Sequence, residues 1–288
     1  MDDKKIKYKL KIKWKLLIIF IVLFTIIFAW ARFVEPKRFI VKEYKIINNS
    51  LPDSFYGLKV VHFSDLHYGT TINKKELAII VDKINLTKPD IVIFTGDLVD
   101  KNTEMTRSVE NNIVNELKRI DSTYGNYFVS GNHDKYFSNF EKIMGNSNFM
   151  SLNDDYDIIY SSDFETIFIG GTHSEVSKKP SITNIKDFFN TEENIPNYKI
   201  FAMHIPDNIK YIKELNFDLV LSGHSHNGQI RLPFIGSVIR PQGAKKYHNE
   251  YYRINKTDLY ISSGIGTSNL NLRLLNKPSF NLYRIVNK

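Results

Sequence analysis

Hydrophobic positions form two patterns: one unbroken apolar run near the N-terminus, then short apolar runs that alternate with amphipathic stretches. Residues 16–31 contain no charged side chain, with Trp14 just before the run and Trp30 near its end. A helix over this run would have no polar face, which disfavours a soluble core helix and predicts a membrane segment. At about 1.5 Å per residue the run covers only part of a roughly 30 Å hydrocarbon core, and Trp14 and the stem of Lys15 can extend it.

The residues before this run are strongly basic and predict its orientation. Seven lysines precede residue 16: Lys4, Lys5, Lys7, Lys9, Lys11, Lys13 and Lys15. The positive-inside rule keeps them in the cytoplasm and places the rest of the chain outside, as a single-pass membrane protein. The alternative is a signal peptide cleaved near Ala31, because Ala29-Trp30-Ala31 fits the small-x-small pattern, which would give a secreted protein. The predicted divisions are a basic leader (1–15), a transmembrane anchor with linker (16–35) and a folded domain (36–288).

Short apolar runs in the remainder alternate with helical patterns, which predicts an α/β fold. Residues 58–63 and 91–94 are strand candidates, and the helix between them begins with a capping box of Asn73 and Glu76. This order predicts a βαβ unit with parallel strands. A second helix is predicted over residues 106–120, with further strands near residues 127–129, 200–203, 217–221, 259–262 and 280–286.

Composition narrows the available chemistry. The chain has no cysteine, which excludes disulfides, thiolate metal ligands and a cysteine nucleophile. The formal net charge is +8, but the leader carries most of it, so a general nucleic-acid-binding surface is not indicated. The chemistry is therefore left to oxygen and nitrogen side chains.

Five apolar runs end directly in polar residues that can bind metals. These residues are Asp65, His67, Asp97, Asn132, His133, His204, His224 and His226. In open α/β sheets, ligand sites assemble beyond the carboxyl ends of the strands, so these side chains are expected to converge. Carboxylate, imidazole and amide oxygen suit Mn, Fe or Zn, and their number predicts two divalent metal ions.

The same residues, in this order, resemble the signature of the calcineurin-like metallophosphoesterases. The matching segments are Asp65-Leu66-His67, Gly96-Asp97, Gly131-Asn132-His133-Asp134, His204 and Gly223-His224-Ser225-His226. Downstream, residues 226–233 and 264–268 are similar to the membrane-anchored or exported bacterial phosphodiesterase branch. The resemblance implies a four-layer α/β/β/α sandwich behind the N-terminal transmembrane helix.

The resemblance also implies how the ligands divide. The implied ligands are Asp65, His67 and His226 for one metal, Asn132, His204 and His224 for the other, and Asp97 for both. A carboxylate has two anionic oxygens that can serve two cations, and Asn132 adds an oxygen without adding charge. His133 is the candidate for protonating the leaving group or stabilising the transition state, and Asp134 is expected to fix its tautomer.

The expected function is metal-dependent hydrolysis of phosphodiester or pyrophosphate-type bonds by a metal-bridging hydroxide, on an envelope or lipid-related substrate. Proximity to the lipid bilayer, which residues 16–31 would enter, favours an amphiphilic phosphate ester. Phosphomonoesterase or protein phosphatase activity is an alternative, and so is a non-catalytic scaffold with the same fold. Arg231 and Arg273 are further candidates for holding the substrate phosphate.

Overall fold

The computed structural model describes residues 2–176, 178–268 and 270–288, with side chains from residue 11 onward. The α-helices among these residues are α1 (Asp2–Ala29), α2 (Lys74–Leu86), α3 (Arg107–Leu117), α4 (Phe140–Asn146) and α5 (Thr183–Thr191). The strands are β1 (Ile40–Ile47), β2 (Leu58–Phe63), β3 (Ile91–Phe94), β4 (Gly125–Phe128), β5 (Met150–Ser151), β6 (Asp155–Tyr160), β7 (Thr166–Thr172), β8 (Tyr198–Met203), β9 (Leu219–Ser222), β10 (Arg231–Leu232), β11 (Gly236–Ser237), β12 (Tyr251–Ile254), β13 (Thr257–Ile261) and β14 (Ser279–Val286).

Two mixed six-stranded sheets form the body of the domain. Their strand orders are β1-β14-β2-β3-β4-β5 and β12-β13-β9-β8-β7-β6. Strands β2 to β5 run parallel in the first sheet, and β7, β8, β9 and β13 run parallel in the second. Each sheet therefore brings the carboxyl ends of several strands to one edge.

The sheets pack face to face, and helices cover both outer faces. Val60 and Ile93 of the first sheet share one buried cluster with Ile200 and Leu221 of the second. Strands β2, β3 and β14 pack their other face against α2, α3 and α4, and the second sheet packs against a cluster that includes Ile185 of α5. The predicted four-layer α/β/β/α sandwich is confirmed.

Local sequence signals account for the first βαβ unit. Asn73 caps α2, accepting a hydrogen bond from Lys75 N–H, while the Glu76 side chain accepts one from Asn73 N–H. Leu77 and Ile84 on the buried face of α2 then pack against the sheet. Strands β2 and β3 pair in parallel, as predicted.

The N-terminal helix passes without a break into the domain. Helix α1 continues through a π-helical turn (Trp30–Val34) and a 3₁₀ turn (Glu35–Lys37). The segment Lys11–Lys37 is long and apolar enough to cross a membrane, judged by length and composition. Its large apolar side chains are exposed, so the described part of the domain leaves them free to contact lipid.

The segment expected to be a linker is packed against the domain. Ala31 and Glu35 are 6% and 4% exposed. The Arg273 backbone N–H donates to the Ala31 carbonyl oxygen at 2.9 Å, and Trp30 Nε1 donates to Glu35 Oε2 at 3.0 Å. The end of the helix is therefore attached to the segment around Arg273 rather than free of it.

Candidate metal centre

The predicted ligands follow the carboxyl ends of five strands and meet at one edge of the sandwich. Strands β2, β3 and β4 lead to Asp65 and His67, Asp97, and Asn132, whereas β8 and β9 of the facing sheet lead to His204 and the pair His224 and His226. A backbone hydrogen bond from Asp65 N–H to the Gly96 carbonyl oxygen (2.9 Å) ties two of the loops together. Convergence at this edge follows from parallel pairing within each sheet.

Most of these residues have left-handed backbone conformations. Positive φ angles occur at Asp65 (52°), His67 (42°), Asp97 (61°), His224 (66°) and His226 (48°). Such conformations are unfavourable for residues other than glycine, and they persist only where the surrounding structure enforces them. Here they turn consecutive side chains out of the strand alternation, so that both His224 and His226 reach the same site.

Neighbouring glycines allow the loops to approach closely. A Cβ atom at Gly131 would lie 2.3 Å from Asp97 Oδ1, and one at Gly223 would lie 2.6 Å from Asp65 Oδ2. No other residue fits at either position without displacing a candidate ligand.

The first ligand group is fully buried. His67 Nε2 and His226 Nε2 lie 3.2 Å apart, and His226 Nε2 is 3.3 Å from Asp65 Oδ1. The three side chains place ligand atoms close enough together for one metal ion. This grouping matches the predicted first set.

The second ligand group lies on the other side of Asp97. His204 Nε2 is 3.1 Å from Asn132 Oδ1, and His204 Nδ1 donates to the Thr95 carbonyl oxygen at 2.6 Å, which leaves Nε2 as the ligand atom. His224 Nε2 contacts the Gln242 carbonyl oxygen at 2.8 Å, so Nδ1 of His224 remains for a metal. These backbone contacts orient the rings in the way that outer partners of metal-binding histidines do.

Asp97 lies between the two groups and uses its two oxygens differently. Its Oδ1 accepts a hydrogen bond from the His133 backbone N–H at 2.8 Å. Its Oδ2 is 3.7 Å from His67 Nε2 and 3.3 Å from His204 Nε2. Asp97 is the ligand expected to serve both metals, and its Oδ2 lies near a histidine of each group.

Burial and nearby charges give the histidines different protonation states. Burial lowers the pKa of His67 and of His224 to about 4 and that of His226 well below its usual range, so these rings are neutral near pH 7. Burial acts in the same direction on His204, but the Asp97 and Asp65 carboxylates outweigh it and raise its pKa to about 9. The metal-free site therefore holds one imidazolium between two buried carboxyl groups.

The donor set fits metal ions. His67 and His226 turn their Nε2 atoms towards each other, and the buried Nδ1 atom of each has no hydrogen-bond partner among the described residues. With the proton of each neutral ring on Nδ1, both Nε2 lone pairs are directed to one point, where a metal ion would bind them. The mixture of imidazole, carboxylate and amide oxygen is the set expected for borderline divalent ions.

Comparison with known proteins agrees with this geometry. Residues 58–228, which contain all seven candidate ligands, match the model of the calcineurin-like phosphoesterases. The chain belongs to this family. The predicted resemblance is thereby confirmed, and with it membership of a metal-dependent family of phosphoesterase hydrolases.

Similar proteins include members with and without a described activity. The Bacillus subtilis protein YkuE, called an uncharacterized metallophosphoesterase, is 28% identical over 263 residues, which cover 90% of this chain and 89% of YkuE. The Escherichia coli phosphodiesterase YaeI is 24% identical over 269 residues, covering 90% of this chain and 93% of YaeI. A zebrafish transmembrane protein with a metallophosphoesterase domain is 25% identical over 267 residues, covering 87% of this chain and 58% of that protein.

Within this metallophosphoesterase, His133 stands at the edge of the metal site. Its Nε2 atom is 4.0 Å from Asp97 Oδ2, and its ring packs edge-on against His67. Asp100, which the sequence analysis missed, forms a third cluster with these two histidines and lies 3.8 Å from His67 Nδ1. Asp100 follows no strand directly, so the pattern of polar residues at strand ends could not identify it.

Asp134 does not contact the His133 ring by any hydrogen bond or ion pair that the structure gives. Its carboxylate accepts hydrogen bonds from the backbone N–H groups of Asp97, Leu98 and Gly131, each at 2.8 Å. The expected role in fixing the His133 tautomer has no support in these contacts. Asp134 instead holds the Asp97 loop against the loop that carries Asn132.

The two arginines are also placed differently from expectation. Arg273 is completely buried and donates to the carbonyl oxygens of Gly264, Gly266 and Asn276, so it is not available to a substrate. Arg231 donates to Asn227 and Asn249 and lines a separate cavity. Neither arginine lines the metal-site cavity.

Metal affinity is predicted to rise with pH. Below pH 9 a metal must displace the proton of His204, so the apparent affinity for Mn should rise about tenfold per pH unit between pH 7 and 9 and level off above. Isothermal titration calorimetry in buffers of different ionisation enthalpy measures both the affinity and the released proton. The His204→Gln control should bind more weakly and lose most of this slope, and a flat wild-type profile would contradict the assignment.

Asp134→Asn is predicted to lower stability more than His133→Ala. The amide NH₂ of Asn would face a backbone N–H that now donates to a carboxylate oxygen, at a cost of about 2 kcal/mol. Thermal unfolding of the metal-free proteins measures the difference. Equal stability of Asp134→Asn and wild type, with an activity loss equal to that of His133→Ala, would instead support action through His133.

Arg273→Met is predicted to destabilise the domain by about 3 kcal/mol, because it removes the described donor of the buried Gly266 and Asn276 carbonyl oxygens and one of the two donors of Gly264. The control is Arg284→Met, which removes an exposed arginine paired with Glu43 and should cost less than about 1 kcal/mol. Chemical denaturation of both variants provides the test, and similar losses in the two would refute the structural role of Arg273.

Proposed function

We propose that this metallophosphoesterase hydrolyses phosphodiesters with two divalent metal ions. When bound, the metals would activate water and neutralise the charge that develops on the phosphate oxygens. The two ligand groups on either side of Asp97 Oδ2 support two ions in place of one.

The wall of the site cavity favours a diester over a monoester. Lys101 is the one lysine or arginine among its described lining residues, and Val176, Ile239, Pro241 and Leu270 provide apolar surface. A monoester carries up to two negative charges at the phosphate, whereas a diester carries one and has a second organic group to bury. One cationic side chain beside an apolar wall, in addition to the metals, therefore suits a diester whose second group is apolar, and this observation carries the proposal.

Side chains of this chain would orient the phosphate and transfer a proton. Lys101 would attract the phosphate into the cavity, whose volume is about 310 Å³. The hydrogen bond from the His133 backbone N–H to Asp97 Oδ1 holds the His133 loop beside the metal ligands. His133, whose side chain is 13% exposed, would donate a proton to the leaving alcohol.

We further propose that the enzyme acts at a membrane surface. The relevant divisions are the basic leader (1–15), the anchor (16–35) and the domain (36–288), with the leader in the cytoplasm and the domain outside. The apolar helix and the similarity to transmembrane metallophosphoesterases support anchoring. An envelope or lipid-related diester agrees with the apolar cavity wall.

The test compares a chromogenic phosphodiester with the matching monoester, using the full-length protein and added Mn. Wild type is expected to prefer the diester by at least about tenfold in kcat/KM. His133→Ala should lower kcat by about 100- to 10,000-fold with metal content retained, and Asp97→Asn should lose bound metal as well as activity.

Two outcomes would favour the alternatives. Preference for the monoester would indicate a phosphomonoesterase or protein phosphatase. Full metal loading with no turnover of either ester would indicate a narrow-substrate enzyme or a scaffold.

A further inference from the structure

An exposed apolar hairpin stands beside the metal-site cavity. Strands β10 and β11 pair in an antiparallel hairpin only a few residues after the candidate ligand His226. Its large apolar side chains point to solvent: Leu232 (39% exposed), Phe234 (109%), Ile235 (67%), Val238 (51%) and Ile239 (46%). The described part of the domain does not cover this surface, and contiguous exposed apolar surface usually marks a binding site.

The hairpin is joined to the metal site at its base. Gly228, two residues after His226, lies so close to β11 that a Cβ atom there would be 2.2 Å from Ser237 Oγ. Ile239, at the end of the hairpin, lines the metal-site cavity together with Leu270, which is itself 48% exposed. The apolar surface therefore continues from the hairpin tip into the cavity wall.

The membrane helix ends close to the same hairpin. Arg231 N–H donates to the Leu274 carbonyl oxygen, and Arg273 N–H donates to the Ala31 carbonyl oxygen, both at 2.9 Å. A short segment thus links the hairpin base to the end of the helix. Trp30 and Arg231 also line one open cavity of about 980 Å³.

The charges around the hairpin suit a lipid surface. Residues 227–249 contain four cations, Arg231, Arg240, Lys245 and Lys246, and no Asp or Glu, while Glu250 and Asp207 lie beside this segment. Arg240, Lys245 and Lys246 are exposed. Apolar side chains at a tip with cations behind them are the pattern of segments that enter the interface of an anionic bilayer.

We propose that the hairpin of residues 231–239 (hereafter the apolar hairpin) inserts its tip into the bilayer that holds helix α1. This contact seats the mouth of the metal cavity at the level of the lipid headgroups, so an amphiphilic diester can enter from the membrane along Ile239 and Leu270. The proposal rests on the proposed membrane anchoring and phosphodiesterase function, and it adds a second contact that fixes how the domain faces the lipid.

The absence of native cysteine allows a direct depth measurement. Phe234→Cys and Phe164→Cys are made in the full-length protein, labelled with an environment-sensitive NBD fluorophore and reconstituted into nanodiscs of phosphatidylcholine and phosphatidylglycerol. Phe164 is a matched control because it is also exposed (86%) and in a turn with positive φ (60°, against 66° for Phe234), but it follows β6 at the opposite end of the strands. Retained metal binding shows that each variant is folded.

The quencher is a nitroxide-labelled lipid with the nitroxide near the top of the acyl chain. It is expected to quench the label at position 234 at least about threefold more than the label at position 164. Interfacial segments lie about 5–10 Å into the headgroup and acyl boundary, which is the depth of this quencher. Equal quenching at the two positions would overturn the proposal. This readout does not depend on catalysis, so it stands even if the proposed function fails.

A second measurement tests the consequence for substrate entry. The double variant Phe234→Ser with Ile235→Ser should hydrolyse a soluble chromogenic diester like wild type, but a diester lipid in vesicles about tenfold more slowly. An unchanged ratio of the two activities would refute delivery from the bilayer. If wild type hydrolyses neither diester, the proposed function fails, while the quenching result still decides whether the hairpin contacts lipid.

Discussion

The rest of the site depends on the contacts of the buried Asp97 carboxylate. Asp97 lies where the carboxyl ends of strands from the two sheets meet. Its Oδ1 accepts a hydrogen bond from the His133 backbone N–H, and its Oδ2 faces histidines from both sheets. Burial alone would raise the pKa of Asp97, but His204 and neighbouring histidines lower it well below its usual range, so the carboxylate stays ionised. An ionised, buried carboxylate is stabilised by nearby cations. The left-handed backbone conformations of its neighbours are unfavourable, and the surrounding structure enforces them because they bring the candidate ligands to Asp97.

Much of this site could be predicted because parallel strands impose their own geometry. Asp65, Asp97 and Asn132 each follow a short apolar strand, so pairing alone brings them to one edge. The strand-end pattern also predicted that His204 joins these residues, whereas the packing of the second sheet against the first was implied only by the family resemblance. Asp100 and Lys101 lie in a loop without periodicity, and Arg273 carries a charge that normally indicates exposure, so no sequence pattern indicated the surroundings of these residues. Asp134 was assigned by proximity to His133 in the chain, but backbone N–H groups compete for its carboxylate and prevail.

The N-terminal helix and the candidate metal site are connected through the segment around Arg273. The Arg273 backbone N–H donates to the end of the N-terminal helix, and its buried guanidinium donates to the loop of Gly264 and Gly266. The carbonyl oxygen of the next residue, Leu274, accepts a hydrogen bond from the base of the apolar hairpin. The Gly264 loop in turn packs against His226, because a Cβ atom there would lie 2.8 Å from His226 Nδ1. The N-terminal helix, the hairpin and one candidate metal ligand therefore share a single buried support, and under the proposed anchoring this support would orient the domain to the bilayer.

We propose that two metal ions would bind on either side of Asp97, and electron paramagnetic resonance of the Mn-loaded full-length protein tests this most directly. Ions about 3.5–4 Å apart are exchange-coupled. We expect two Mn per chain with an exchange-coupled spectrum in wild type, and loss of this coupled spectrum in Asp97→Asn. A spectrum of isolated Mn ions in fully loaded wild type would contradict the account.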